Sequence, residues 1–233
     1  MNLLAIETST DRAALALTTA DGRCHVAHVE SSGRHGRDLL PALRDLLNGS
    51  GLRATDLDAL AVGLGPGSYT GLRIGVMAAK TLAYAAGCPL TGLDSLEVLA
   101  CNAPADVLHV VVIGDAQRGD LYVAEFSRDE PGATLRQAKA TRIEPASYLL
   151  GLDGGTLVIG PGLRKLASPL PDGLVAGSPE QARPEGERLA ELALRVYESG
   201  RRDDPWSLEP IYLRRSAAED QWARRQDAPP ALT

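Results

Sequence analysis

Residues 63–75 read Gly-Leu-Gly-Pro-Gly-Ser-Tyr-Thr-Gly-Leu-Arg-Ile-Gly, and this stretch decides the fold. The apolar run 58–63 predicts a buried strand that leads into it. The pattern after it predicts a helix to about Ala86, where Gly87 and Pro89 end the helix. Glycines at such a junction permit positive φ angles and a close approach of two backbones. The stretch therefore predicts a tight strand-to-helix turn.

This junction has two interpretations. The first is a capped turn without a ligand, in which the hydroxyl of Ser68 or Thr70 accepts a hydrogen bond from the helix start. The second is an anion site formed by the amides of that helix start. A Walker A phosphate loop is excluded, because it needs Lys and then Ser or Thr after its last glycine, whereas Gly71 precedes Leu72 and Arg73.

The elements on either side of this junction follow one order twice. The first half reads βββαβα with a further strand and helix; its strands are at 3–8, 13–18, 24–29, 58–63 and 90–93, and its helices at about 36–47, 72–86 and 95–101. The second half has strands at 107–113, 121–126, 135–143 and 156–159 and helices at 145–150 and 186–197. The repeat indicates a duplicated domain.

We therefore predict an α/β protein of two tandem lobes with the actin-like, RNase H-like architecture of the sugar-kinase ATPase superfamily. The first lobe spans 1–104 and the diverged second lobe 105–215, whose last helix can pack back on the first lobe. The tail 216–233 is expected to be partly disordered. This fold analogy rests on the order of elements and is no evidence of ATP hydrolysis.

The composition and charge of the chain limit which classes of function are plausible. The 233 residues carry a formal net charge of −6, and such a chain is poorly suited to hold a phosphate backbone alone, because that affinity depends mainly on Lys and Arg. Three cysteines without a CxxC pattern indicate reduced thiols in a cytoplasmic protein. No apolar run approaches the length of a membrane span. The four histidines have no metal-ligand spacing, so no metal is expected.

The junction as a whole resembles one family. The string GxGPGSYTGLRIG is the hallmark of the TsaB (YeaZ) proteins, and the chain is similar to it at Gly65, Pro66, Gly67, Ser68, Tyr69, Thr70, Gly71 and Arg73. Further similar segments occur in the same order at 3–10, 35–41, 114–122 and 210–214. The resemblance thus covers nearly the whole chain.

This resemblance implies a non-catalytic subunit of the complex that makes N6-threonylcarbamoyladenosine beside the tRNA anticodon. Such a subunit binds and activates a catalytic homologue, TsaD, and a small ATPase, TsaE, joins the complex. The tRNA is contacted mainly through the complex, the chain pairs with itself when alone, and no membrane is involved. The alternatives are a freestanding nucleotide-dependent or peptidase-like enzyme of this superfamily, and a homodimeric scaffold.

The resemblance also bears on nucleotides and on docking. No cofactor is required, and weak nucleotide binding is expected mainly at the complex interface. The residues that would remain from a nucleotide-binding site are Glu7, Thr8, Ser9, Asp115, Gly119 and Gly160. Glu7 stands where ATPases of this fold carry Asp. Partner contacts are expected from two helices, through Leu39, Leu43 and Leu46 on the first and Val76, Lys80 and Tyr84 on the second. The alternative is that both helices only cover their own sheet.

Overall fold

Two five-stranded sheets organise residues 1–30 and 35–214, which the computed structural model describes. The first lobe contains β1 (Leu3–Glu7), β2 (Arg12–Thr18), β3 (Cys24–Glu30), α1 (His35–Gly49), β4 (Ala59–Gly63), α2 (Tyr69–Ala86), β5 (Leu90–Leu93) and α3 (Ser95–Ala100). The second contains β6 (His109–Asp115), β7 (Asp120–Ser127), β8 (Arg136–Pro145), β9 (Leu157–Ile159) and β10 (Val175–Ala176). Helix α4 (Gly186–Glu198) follows. No helix within the described ranges is long and apolar enough to cross a membrane.

Both sheets have the same topology. The first has the order β3-β2-β1-β4-β5, with β1 antiparallel to β2 and parallel to β4. The second, β8-β7-β6-β9-β10, repeats this arrangement around β6. The predicted fold class, two tandem actin-like α/β lobes, is confirmed. The helix predicted at 145–150 is instead a 3-10 helix, Ala146–Gly151, since a segment this short is readily wound as 3-10 turns.

The first sheet is covered on both faces. Leu4 and Ile6 of β1 face one core with α1 and α2, whereas Leu3 and Ala5 face a second core with α4. Successive side chains of a strand point to opposite faces, so a strand buried on both sides reads as one continuous apolar run. Helix α4, which follows the second lobe in sequence, thus packs on the first.

The short helix α3 joins the cores of the two lobes. Leu96 and Leu99 pack in the core of the second sheet, whereas Val98 packs in the core shared by the first sheet and α4. Asp94 caps the helix by accepting a hydrogen bond from Leu96 N at 2.7 Å. Its second carboxylate oxygen accepts one from the Thr141 hydroxyl of β8 at 2.8 Å. One helix and its cap therefore connect both sheets.

Residues 203–214, here called the C-terminal strap, cross the first lobe after α4. Asp203 N donates to Leu90 O at 2.9 Å, which adds a single antiparallel bridge beside the edge strand β5. Further along, Ile211 N donates to Leu64 O at 2.7 Å. The strap therefore covers a sheet edge that would otherwise be open to pairing with another chain.

The end of the strap reaches the second lobe. Tyr212 stacks on Tyr69 with ring centroids 5.0 Å apart, and Arg73 Nε donates to the Tyr212 hydroxyl at 3.1 Å. Arg214 forms an ion pair with Asp120 at the start of β7. The strap thus ties the first turn of α2 to the second lobe.

A ladder of glycines seats α2 on the turn between β1 and β2. Gly63, Gly67, Gly71 and Gly75 follow one another at intervals of four residues. A Cβ atom at any of them would overlap the segment Glu7–Ser9: the Glu7 carboxylate, the Ser9 backbone, the Thr8 carbonyl and the Thr8 hydroxyl, respectively. Ser68 N also donates to Ser9 O at 2.7 Å. Only glycine lets the helix lie this close, so the ladder fixes where α2 sits.

The variant Gly71→Ala is expected to destabilise the chain by about 1–3 kcal/mol, the usual cost of overpacking. The new methyl group would overlap the backbone carbonyl of Thr8, which places the overpacking cost at or above the upper end of its usual range, so a net loss remains after the roughly 1 kcal/mol that Ala contributes in a helix. Urea unfolding measures the difference. Gly49→Ala at the end of α1 is the matched control, because nothing lies within 4 Å of its Cβ. Equal stabilities of the two variants would show that α2 is not held by this close contact.

Candidate functional site: inter-lobe cleft and apolar ridge

The glycine-rich junction is a capped turn. Ser68 is the N-cap of α2, and its Oγ accepts a hydrogen bond from Gly71 N at 3.2 Å. Gly65 adopts a φ of 101° ahead of the cis Pro66, and its N–H donates to Ser95 Oγ at 2.9 Å. The amides of Gly65, Ser68 and Gly71 therefore all bond to protein groups. Of the two interpretations of this junction, the geometry matches the capped turn.

Glu7 and Thr8, predicted as nucleotide remnants, lie beneath α2. Both are fully buried. Glu7 Oε1 accepts a hydrogen bond from Ser9 N at 2.6 Å, whereas Oε2 has no hydrogen-bond partner. Burial raises the pKa of the Glu7 carboxyl, although the Ser9 N–H opposes this shift. A nucleotide cannot reach either side chain, so the prediction is wrong for these two residues, because α2 sits where a ligand would approach.

The two lobes enclose a cleft of about 690 Å³. Its walls combine charged and aromatic side chains, among them Asp11, Tyr69, Asp115, Tyr122, Lys165 and Tyr212. Asp115 Oδ1 accepts a hydrogen bond from Gln117 N at 2.7 Å, and Lys165 Nζ lies 4.0 Å from its other oxygen. Ser9 also lines the cleft, although little of its surface is exposed. The cleft therefore combines polar and apolar walls, and Asp115 and Lys165 partly neutralise each other within it.

Gly119 and Gly160, the other two predicted remnants, do not line the cleft. Gly119 has a φ of 88° in the turn between β6 and β7, which explains glycine there. Gly160 has a φ of 109°, and a Cβ would overlap the Ile113 carbonyl. Both glycines thus have a structural reason that needs no ligand, and their part in nucleotide binding stays a prediction.

Ion pairs close the cleft at two places. Asp11, in the turn between β1 and β2, pairs with Arg164 of the second lobe at 3.1 Å and with Arg183 at 3.3 Å. On the strap side, Arg214 pairs with Asp120. Such partly exposed pairs each contribute at most about 1 kcal/mol. Together they bridge the two lobes across the cleft.

These residues do not fit the metal and phosphate groups that ATPases of this fold hold in the first hairpin. The hairpin carboxylate is Glu7, which is buried behind the turn and faces Gly63. The glycine ladder brings α2 onto the backbone of Thr8 and Ser9. The Glu7 carboxylate therefore cannot reach a group that is bound in the cleft, which the turn borders through Ser9, Thr10 and Asp11.

Three of the six residues predicted to bind a partner are buried. Leu39, Leu43 and Val76 pack in the core between α1, α2 and the first sheet, and Leu46 is half-buried against the same core. The prediction is wrong for Leu39, Leu43 and Val76. Their helical positions turn them toward their own sheet, so they have almost no surface to offer a partner.

The outward face of these helices carries a different set of side chains. On α2, Met77 and Tyr84 are 64% and 78% exposed, with Thr81 exposed between them; on α1, Leu40 is 58% exposed. Lys80 is half-buried beside them. We call Leu40, Met77 and Tyr84 the apolar ridge. The sequence prediction included Tyr84 but missed Leu40 and Met77, because periodicity does not tell which of two apolar stripes faces the sheet.

The buried carboxyl predicts a pH dependence. The folded-state pKa of Glu7 is raised above its usual 4.5, so the stability of the wild-type chain should fall as pH rises from 4.5 through the folded pKa. The glutamine of Glu7→Gln cannot ionise, so this variant does not lose stability in this way as pH rises. Its stability relative to wild type should therefore improve with pH, by up to about 1.4 kcal/mol per pH unit.

Urea unfolding from pH 4 to pH 8 measures this difference. Glu198→Gln is the control, because Glu198 is exposed at the end of α4, and it should follow the wild type. A constant difference between Glu7→Gln and wild type across this range would contradict the raised pKa. In addition to this pH-dependent change, Glu7→Gln is expected to lose the same amount of stability at every pH, because the new amide nitrogen has no acceptor at the position of Oε2.

Comparisons with known proteins identify the family. The model described as "TsaD: tRNA N6-adenosine threonylcarbamoyltransferase" matches residues 27–172. The tRNA threonylcarbamoyladenosine biosynthesis protein TsaB of Escherichia coli is 34% identical over 94% of this chain and 96% of its own length. The Bacillus subtilis protein of the same name is 31% identical over 97% of this chain and 100% of its own length.

Solved structures agree. YeaZ from Pseudomonas aeruginosa superposes with a TM-score of 0.77 and 26% identity, over 91% of this chain and all of that one. Another structure from that organism, with a TM-score of 0.76 and 27% identity over 91% of this chain and 99% of that one, is described as similar to peptidase YEAZ. The chain belongs to the TsaB (YeaZ) family, whose named relatives are tRNA threonylcarbamoyladenosine biosynthesis proteins.

Proposed function

We propose that this chain is the non-catalytic subunit of the complex that makes N6-threonylcarbamoyladenosine in tRNA, and that it binds and activates the catalytic homologue TsaD. The observation that carries the proposal is the apolar ridge, formed by Met77 and Tyr84 on α2 and Leu40 on α1, which packs beside α2. Large apolar side chains that cluster on a surface mark protein interfaces. The names of the Escherichia coli and Bacillus subtilis relatives support the pathway.

The homology between the two subunits supports TsaD as the partner. The transferase model matches residues 27–172, a range that includes α1 and α2. Homologous chains place equivalent helices on equivalent faces, and two such faces can pair around an approximate two-fold axis. The same face would pair two copies of this chain in the absence of TsaD. TsaE then joins the assembled pair.

The chemistry of the cleft supports a non-catalytic role over a peptidase-like one. Ser68 Oγ accepts from Gly71 N and caps its own helix. None of the histidine side chains that the structure describes lines the cleft. Burial raises the pKa of the Cys88 and Cys101 thiols, which keeps them protonated and poorly nucleophilic at neutral pH. No activated nucleophile is evident among the described residues.

The charge of the chain supports an indirect role toward tRNA. The formal net charge is −6, and Arg164 and Arg214 near the cleft are already paired with Asp11 and Asp120. A phosphate backbone would have to compete with these carboxylates. We therefore place the main tRNA contacts on other subunits of the complex. The arginines at positions 215, 224 and 225, like the whole predicted tail 216–233, lie outside the described residues.

Modified adenosine is expected only when this chain is present. Purified TsaD, TsaE, tRNA and threonylcarbamoyl-adenylate are combined with and without it, and N6-threonylcarbamoyladenosine is quantified by mass spectrometry of digested tRNA. The chain alone should turn over no nucleotide. Equal modification without it would contradict the accessory role, and ATP turnover by the isolated chain would favour the freestanding enzyme.

The same assay tests the ridge. Tyr84→Asp should lower the affinity for TsaD, and modification at limiting concentrations, by about tenfold or more, since a charge at the centre of an interface is costly to desolvate. Leu150→Asp is the matched control, because Leu150 is 74% exposed but lies in the second lobe. Calorimetric titration gives the dissociation constants. Unchanged binding by Tyr84→Asp would remove the ridge from the interface.

A further inference from the structure

The strap carries the most exposed large apolar side chain of the described residues. Trp206 is 82% exposed. Tryptophan is rarely left in water on a monomer, and it is among the residues most enriched at the energetic centres of interfaces. The exposure of Trp206 could not be predicted from the sequence, because the strap has no helical or strand periodicity. Its position thus calls for a physical explanation.

Trp206 is held in place by an ordered turn. Its backbone N–H donates to Asp204 Oδ1 at 3.1 Å, the Ser207 hydroxyl donates to Oδ2 at 3.0 Å, and Leu208 N donates to Asp204 O at 3.0 Å. The Trp206 and Ser207 hydrogen bonds, in that order, lower the pKa of the Asp204 carboxyl. The same hydrogen bonds that order the turn therefore stabilise the charged form of this carboxyl.

Both flanks of this turn are anchored to the first lobe. On one side, Gly92 N donates to Asp203 Oδ2 at 2.7 Å. On the other side, Leu208 is buried in the core beneath α2. The indole is thus presented by a fixed segment, and a side chain that is already ordered loses less entropy on binding.

The indole continues the apolar ridge. Its ring meets the Tyr84 ring edge-on, with centroids 6.2 Å apart and an interplanar angle of 72°. Edge-to-face pairs of this kind are favourable, yet both rings remain mostly exposed. The contact therefore aligns two aromatic side chains, from α2 and from the strap, into one surface.

We propose that Trp206 is part of the docking surface, and that its occupant is the apolar helix face of the homologous transferase subunit. This inference rests on the proposed function of the ridge, with which Trp206 is continuous. Asp203 pairs with Arg201 at 3.3 Å, and Lys80 acts electrostatically on Asp204, so these acidic groups are balanced by basic ones and no excess of positive charge attracts a phosphate backbone. The exposed Trp206 and Tyr84 rings suit an apolar helix face.

The test places a fluorine reporter on the native indole. The chain has two tryptophans, so Trp222→Phe leaves Trp206 alone to carry 5-fluorotryptophan. Unlabelled TsaD is added, and the single ¹⁹F resonance should shift or broaden in proportion to complex formed. In parallel, Trp206→Ala should weaken binding to TsaD by about tenfold or more, whereas Leu150→Ala should not.

The outcomes separate this inference from the one it rests on. If the unsubstituted chain does not bind TsaD, both fail. If it binds while the resonance stays fixed and Trp206→Ala binds equally well, Trp206 lies outside the surface and only this inference is overturned. A resonance that responds to the concentration of the chain itself, but not to TsaD, would assign the surface to a second copy and also overturn it.

Discussion

The close contact between α2 and the turn joining β1 to β2 is the constraint on which the rest of the structure depends. Gly67, Gly71 and Gly75 leave no room for a side chain there, so the helix rests on the backbone of that turn. One consequence is chemical, because Glu7 is buried and its carboxylate cannot reach the cleft. The other is geometric, because the helix is fixed in a rotation that buries Val76 and exposes Met77 and Tyr84. The same packing that buries Glu7 therefore also determines which side chains of α2 are exposed, and these form the surface that we propose for a partner.

The two lobes are held together by elements that belong to neither sheet. Helix α3 supplies side chains to both cores, and α4 returns to cover the first sheet. The strap passes the ridge at Trp206 and ends at Arg214 on the second lobe. The strap therefore runs from the ridge to the border of the cleft.

The order of strands and helices was predictable because apolar runs and glycine-proline stops are local signals, and the fold follows from that order. The position of α2 on the β1–β2 turn was not predictable, since the glycines of residues 63–75 are equally compatible with a ligand-binding loop. Only the structure shows that the backbone of Thr8 and Ser9 lies against them. The exposed apolar side chains of these helices were mostly missed for a related reason: on α2, one stripe faces the sheet and another faces solvent, and only tertiary packing distinguishes them. Trp206 lies in a segment without periodicity, where its exposure depends on the turn at Asp204.

Hydrogen–deuterium exchange of this chain, measured with and without TsaD, tests most directly whether the ridge rather than the cleft is the functional surface. The account predicts that TsaD slows exchange in α2 around residues 77–85 and in the strap around 204–208, while the turns at 9–11 and 115–119 that border the cleft exchange at unchanged rates. Slowing confined to those two turns, with no change in α2 or the strap, would contradict it.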